Sequence, residues 1–192
     1  MNKNIFQGEL VRLTAEDPEI ASKAFAQWGR DSEYLRLLDS NGAVLWSAKK
    51  IKEWIEKDLE KSRSDECFFF IRTLDGDHPI GIIGLGGIRW DHGDAWVGIG
   101  IGERECWGKG YGTDAMRIML RYAFTELNLH RLTLGAFAYN PRAIRSYEKA
   151  GFVHEGLERL AIQRDGARAN VVIMGILRTE WEKLYDPSPI SR

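Results

Sequence analysis

Three glycines fall within five residues in Trp107-Gly108-Lys109-Gly110-Tyr111-Gly112-Thr113, and a helical pattern follows at once. Glycines between a strand and a helix leave several backbone N–H groups bare at the positive end of the helix dipole, which is the chemistry of anion binding. Lys109 can add a charge at the rim. A tight turn that needs only positive φ is the plainer use of the same glycines. Further along, Asn140 has a side chain that both donates and accepts, and Tyr147 has a phenol able to give up a proton. Asn140 before Pro141 also suits a helix N-cap, and Tyr147 also suits the inner side of an amphipathic helix.

Phosphate ligands of three kinds compete for the glycine loop. A mononucleotide P-loop needs Ser or Thr after its lysine, and Lys109 is followed by Gly110. The dinucleotide pattern is matched literally by Gly110, Gly112 and Ala115, but no Asp or Glu lies between Asn128 and Tyr147 to hold a ribose. Coenzyme A is the third.

Here two motifs in order carry a resemblance. Trp107 to Gly112 resembles the pyrophosphate-binding motif of the GNAT acetyltransferase superfamily, with Gly110 and Gly112 on its glycine positions and Trp107 in the Gln/Arg place, as in the RimJ/RimL-type branch. "NPRAIRSYEKAGF", Asn140 to Phe152, resembles that superfamily's second signature, and the likeness extends over about Leu10 to Trp181. The resemblance implies a mixed α+β fold: a mostly antiparallel sheet of six or seven strands, splayed between the fourth and fifth and flanked by helices.

The same resemblance implies an enzyme that carries the acetyl group of acetyl-CoA directly to a primary amine, either a protein N-terminus such as that of a ribosomal protein or a small molecule. Tyr147 would be the general acid at the thioester sulfur. The loop residues Trp107, Gly108, Lys109, Gly110, Tyr111, Gly112 and Thr113 would hold the pyrophosphate, and the Ile99 and Ile101 main chain together with Asn140 the pantetheine arm. Gly98, Gly100 and Gly102 leave one face of that strand bare, which suits close approach by a ligand or another part of the chain. Trp28, Arg30, Tyr34 and Trp46 would supply the substrate wall. A homodimer is common in similar proteins.

Two positions depart from the pattern. Trp96 stands where relatives often carry a glutamate base, leaving His92, Asp94 and Glu103 as the carboxylate or imidazole candidates within reach by sequence. Asn170 stands where relatives commonly carry Asp. An acyl-CoA-binding module without catalysis is the alternative that the missing base leaves open.

The elements that must position these groups follow from periodicity. Leu10–Leu13 reads as a strand, and Trp28, Tyr34, Leu35 and Leu38 form the apolar side of a helical segment. Ser47 caps a helix with an inner stripe of Ile51, Trp54, Ile55 and Leu59. Strands from Cys67 and Ile80 and over Ala95–Ile101 form a meander, the helix after the loop runs Thr113–Leu127 with Arg117 and Arg121 outside, and Arg131–Phe137 is a strand reached by a parallel crossover. A helix from Pro141 stops at Gly151, and strands over about Glu155–Ile162 and Asn170–Ile176 end the pattern.

The 192 residues, 44% hydrophobic and 29% charged, suit one domain over 8–185, with a Pro- and Ser-rich tail at 186–192 expected to fray. A net charge of -1 gives no field for nucleic acid or a membrane surface. The longest apolar run is too short to span a bilayer, and the N-terminus lacks a secretory pattern, so a cytoplasmic location is expected. Cys67 and Cys106 match neither a disulfide framework nor a metal site, and no metal is expected.

Overall fold

A computed structural model describes residues 4–59 and 64–185. The expected tail, 186–192, lies outside the described residues. The strands are β1 (Val11–Thr14), β2 (Cys67–Thr73), β3 (Pro79–Arg89), β4 (Asp94–Ile101), β5 (Arg131–Phe137), β6 (Val153–Arg164) and β7 (Ala167–Leu177). The helices are α1 (Pro18–Trp28), α2 (Ser32–Leu38), α3 (Ala48–Leu59), α4 (Tyr111–Thr125), α5 (Pro141–Lys149) and α6 (Arg178–Tyr185), with a 3-10 turn at Arg104–Cys106.

Local chemistry explains most helix starts. Asp17 accepts from Glu19 N–H ahead of Pro18, Asp31 accepts from Glu33 and Tyr34, Ser47 accepts from Lys50, and Asn140 accepts from Ala143. Helix α4 is different: its cap is Gly110, with no side-chain hydrogen bond.

All seven strands join one sheet in the order β1-β2-β3-β4-β5-β7-β6, and only β4 and β5 run parallel. The mixed α+β architecture expected from the sequence is therefore present. One face is covered by α4, whose Met116, Ile118, Met119, Leu120, Ala123 and Phe124 are buried against Ile83, Val97, Leu132, Leu134 and Met174. The opposite face carries a smaller cluster in which Trp28 and Tyr34 pack with Phe70 under α1 and α2.

Four details differ from the sequence reading. Trp54, expected on the inner stripe of α3, is 51% exposed. Arg121 does not face solvent; it turns inward and donates to the Ile5 and Gln7 carbonyls at 2.7 and 2.8 Å, tying the N-terminal segment to α4. The last two strands are longer than their apolar runs, because the Asp165-Gly166 turn, with both residues at positive φ, lets them pair to the tip. Helix α6 follows β7 with no turn residue between, and Glu180 accepts from Leu177 N–H at 2.8 Å in place of a conventional cap; Trp181 packs against Phe124.

Candidate active site

Pairing between β4 and β5 lasts three residues, ending at Trp96 opposite Thr133. Beyond that point the two strands no longer pair, and a cavity of about 470 Å³ lies between the end of β4, the glycine loop and the start of α5 past β5. The expected splay is here. Gly102 N–H donates to Ile80 O on β3, and residues of an antiparallel strand alternate in the direction of their main-chain groups. Gly100 therefore bonds to β3, whereas Ile99 and Ile101 turn their main-chain groups to the open edge.

The glycine loop closes one end of this gap. Gly108 has φ of 74° and Gly110 of 94°, so both need the left-handed region that glycine alone adopts readily. Gly112 differs: a methyl there would touch nothing nearer than 3.7 Å, so packing does not demand its small size. What it preserves is the bare first turn of α4. The Trp107 indole N–H donates to Ile101 O at 2.7 Å, and the guanidinium groups of Arg142 and Arg104 lie 3.9 and 4.6 Å from its ring centre. Thr113 and Ser146 share a hydroxyl hydrogen bond of 2.8 Å, joining α4 to α5 beside the cavity.

Of the loop residues anticipated as ligand contacts, Trp107, Gly108, Gly110, Gly112 and Thr113 line the cavity, as do Ile99, Ile101, Asn140 and Tyr147. Lys109 and Tyr111 do not: Lys109 is exposed, and the Tyr111 ring packs against the main core. Sequence reasoning passed over Arg117, Arg142, Arg145 and Lys149, which also line it. The last three recur at one-face helical spacing on α5, a signal that was legible. A positive rim, two left-handed glycines and an uncapped helix start fit a phosphate-bearing ligand.

Tyr147 lies half-buried on α5 with its ring edge-on to Phe152, and its hydroxyl has no hydrogen-bond partner among the described residues. Desolvation pushes its phenol up to about 12, so it carries its proton throughout the neutral range. Burial also pushes the Cys106 thiol up, which argues against a thiolate nucleophile in the cavity. Asn140 lines the cavity while its Oδ1 caps α5, leaving Nδ2 as its spare donor.

None of the three candidate bases reaches the cavity. Glu103 accepts from the Trp28 indole at 2.8 Å, His92 pairs with Asp91 in an exposed loop, and Asp94 pairs with Arg89 at the far end of β4. Arg89 holds the Asp94 carboxyl below its usual range. Asp94 and Trp96 instead border a second, smaller hollow on the sheet face with Arg131 and Glu158. Asn170 is engaged elsewhere, accepting from Leu160 N–H where β6 bulges.

The glycine track of β4 serves a different end from a ligand channel along its whole length. A Cβ at Gly102 would run into the Trp28 ring, and one at Gly100 would meet Leu38 at 2.4 Å and the Tyr34 hydroxyl at 3.4 Å. The group approaching closely is the chain's own α1–α2 layer, and only Gly98 opens to free space. Of Trp28, Arg30, Tyr34 and Trp46, only Tyr34 lines the cavity.

No helix among the described residues is long and apolar enough to cross a membrane, and no group of three or more His, Cys, Asp or Glu there could hold a metal. The chain matches the Acetyltransferase (GNAT) domain family over residues 9–153. It is 32% identical to the SPbeta prophage-derived uncharacterized N-acetyltransferase YokL of Bacillus subtilis over 79% of this chain and 82% of that one. It is 31% identical to the spermidine N(1)-acetyltransferase of Escherichia coli K12, over 79% and 83%. The structure of Vibrio cholerae spermidine N-acetyltransferase with CoA and spermine superposes with a TM-score of 0.78 at 25% identity, covering 89% of this chain and 97% of that one. A family model that spans most of the chain and relatives matched over most of their own length place it together: the chain belongs to the GNAT family as an acetyl-CoA-dependent acetyltransferase.

Proposed function

We propose that the protein transfers the acetyl group of acetyl-CoA directly to the primary amine of a small molecule. The observation that carries this is the gap between β4 and β5, with the uncapped α4 start at one end and Tyr147 on its wall. The α4 N-terminus with Gly108, Gly110, Gly112 and Thr113, and the α5 cations Arg142, Arg145 and Lys149, would hold the phosphates. Ile99, Ile101 and Asn140 would hydrogen-bond the pantetheine arm, and Tyr147 would protonate the departing thiolate.

The spermidine acetyltransferases among the relatives support a small amine over a protein N-terminus. The absent carboxylate sets a second condition. An amine of pKa about 10.4 is roughly 0.04% neutral at pH 7, and one of pKa about 8 is roughly 10% neutral. Without a base at position 96 the enzyme favours small amines that arrive partly neutral, such as those whose pKa is lowered by a neighbouring charge.

Calorimetric titration with acetyl-CoA, followed by thiol release against spermidine and a Ser-Ala peptide, tests the assignment. Binding with amine-dependent release is expected. Binding without release from either amine would leave a silent acyl-CoA module as the better reading.

A further inference from the structure

Among the described residues, Tyr34 is the buried polar side chain on the cavity wall that lacks a partner: the residue is 3% exposed, and its hydroxyl makes no hydrogen bond there. Its ring is fixed edge-on to Trp28, and its backbone N–H is held by the Asp31 cap. The hydroxyl sits over Gly100, where the missing side chain lets it approach the β4 backbone. Burial pushes the phenol up, so it stays neutral. An unpaired buried hydroxyl costs stability, and a fold keeps one where something else supplies the missing partner.

Which ligand group supplies it follows from the two faces of β4. Methyl positions at Gly112 of α4 lie near the Ile99 and Ile101 side chains, so the α4 start and its phosphate site are on that face. Tyr34 and Leu38 lie on the Gly100 face, and side chains of successive strand residues point to opposite faces. The gap between β4 and β5 is a slot joining the two sides, with the cosubstrate's phosphates at one mouth and Tyr34 at the other.

Resting on the transferase reading above, we infer that the Tyr34 hydroxyl binds the acceptor amine, accepting one of its N–H groups and turning its lone pair toward the acyl carbon in the slot. As the C–N bond forms and the C–S bond breaks, the amine gives one proton to solvent and the thiolate takes one from Tyr147, which solvent restores. Tyr34 orients the nucleophile and keeps its own proton. It does in part what a base at position 96 would do by holding the amine, without removing its proton.

The test compares wild type with Tyr34→Phe using acetyl-CoA and spermidine, with the Ser-Ala peptide in parallel. The variant should lose about tenfold in kcat/KM for the amine that wild type acetylates, near the upper end for one neutral hydrogen bond. It should bind acetyl-CoA within about twofold of wild type, and its Tm without ligand should equal or exceed that of wild type, since an unpaired buried hydroxyl has been removed. Unchanged kcat/KM overturns the inference and leaves the transferase reading standing. Lower Tm together with weaker acetyl-CoA binding marks a packing role and also overturns it. Wild type that binds acetyl-CoA yet acetylates neither amine overturns the transferase reading and the inference with it.

Discussion

The indole N–H of Trp107 is bonded to the carbonyl of Ile101 at 2.7 Å, so the glycine loop is fastened to the end of β4 after β5 has left it. Trp107 thus acts as a strut and as a platform for Arg142, which brings a charge to the place where the family pattern puts it on the loop itself. Trp107→Phe removes the hydrogen bond and weakens the stacking. Together these contribute about 1–2 kcal/mol. Titration calorimetry should find acetyl-CoA binding about five- to thirtyfold weaker, and differential scanning calorimetry a lower Tm; unaltered affinity would refute the strut.

Gly112 separates folding from binding. Replacing it with Ala introduces a methyl that meets only ordinary contacts and improves helix propensity by up to about 1 kcal/mol. The Tm of Gly112→Ala should hold or rise. Acetyl-CoA affinity should fall at least about tenfold, because the methyl occupies the approach to the first turn of α4. Retained affinity would mean that the pyrophosphate lies elsewhere.

The raised phenol of Tyr147 makes a statement about pH. A proton donor at about 12 is fully protonated at neutral pH, so kcat should show no alkaline fall from this group below about pH 10. Tyr147→Phe should lower kcat by about a hundredfold and leave the Kd for acetyl-CoA nearly unchanged. A small effect on kcat, read by stopped thiol-release assays, would remove the acid role.

Asp114 links the start of α4 to β1. The side chain belongs to a residue only 6% exposed and accepts from the N–H groups of Glu9, Leu10 and Val11 at 3.2, 2.8 and 3.0 Å. Asp114→Ala orphans three donors and should cost about 3 kcal/mol of unfolding free energy in urea titration. Asp114→Asn keeps an acceptor and should cost less. Equal losses for both would show that charge rather than hydrogen bonding anchors β1.

Arg12 and then Arg72 hold the Asp77 carboxyl below its usual 3.8 by hydrogen bonding. A lowered folded-state pKa stabilises the fold above 3.8, and that contribution disappears as pH falls through the folded value. The Tm gap between wild type and Asp77→Asn should therefore narrow below about pH 3.8. The pair is exposed, so the gap should be small. A gap that widens in acid would contradict the sign.

Local chemistry was readable from sequence. The caps at Ser47 and Asn140, the left-handed glycines at 108 and 110, and the β2–β3–β4 meander depend on neighbours within a few residues, as periodicity and turn chemistry do. The β6–β7 tip was equally local, and its Asp-Gly signal was there to be used. Helix α6 lacked a start signal of the usual kind, since its cap is a glutamate reaching back to β7.

The sequence by itself determined which residues could bind an anion and which could donate a proton, because glycine conformations, helix starts and side-chain chemistry are properties of short stretches. Only the tertiary structure decided where along β4 and β5 the pairing stops, that Lys109 and Tyr111 stay out of the gap, and that α1 and α2 fill the bare face at Gly100 and Gly102. Those outcomes are set by close packing between segments far apart in the chain. Cavity shape is what such packing leaves unfilled, and no local pattern encodes it.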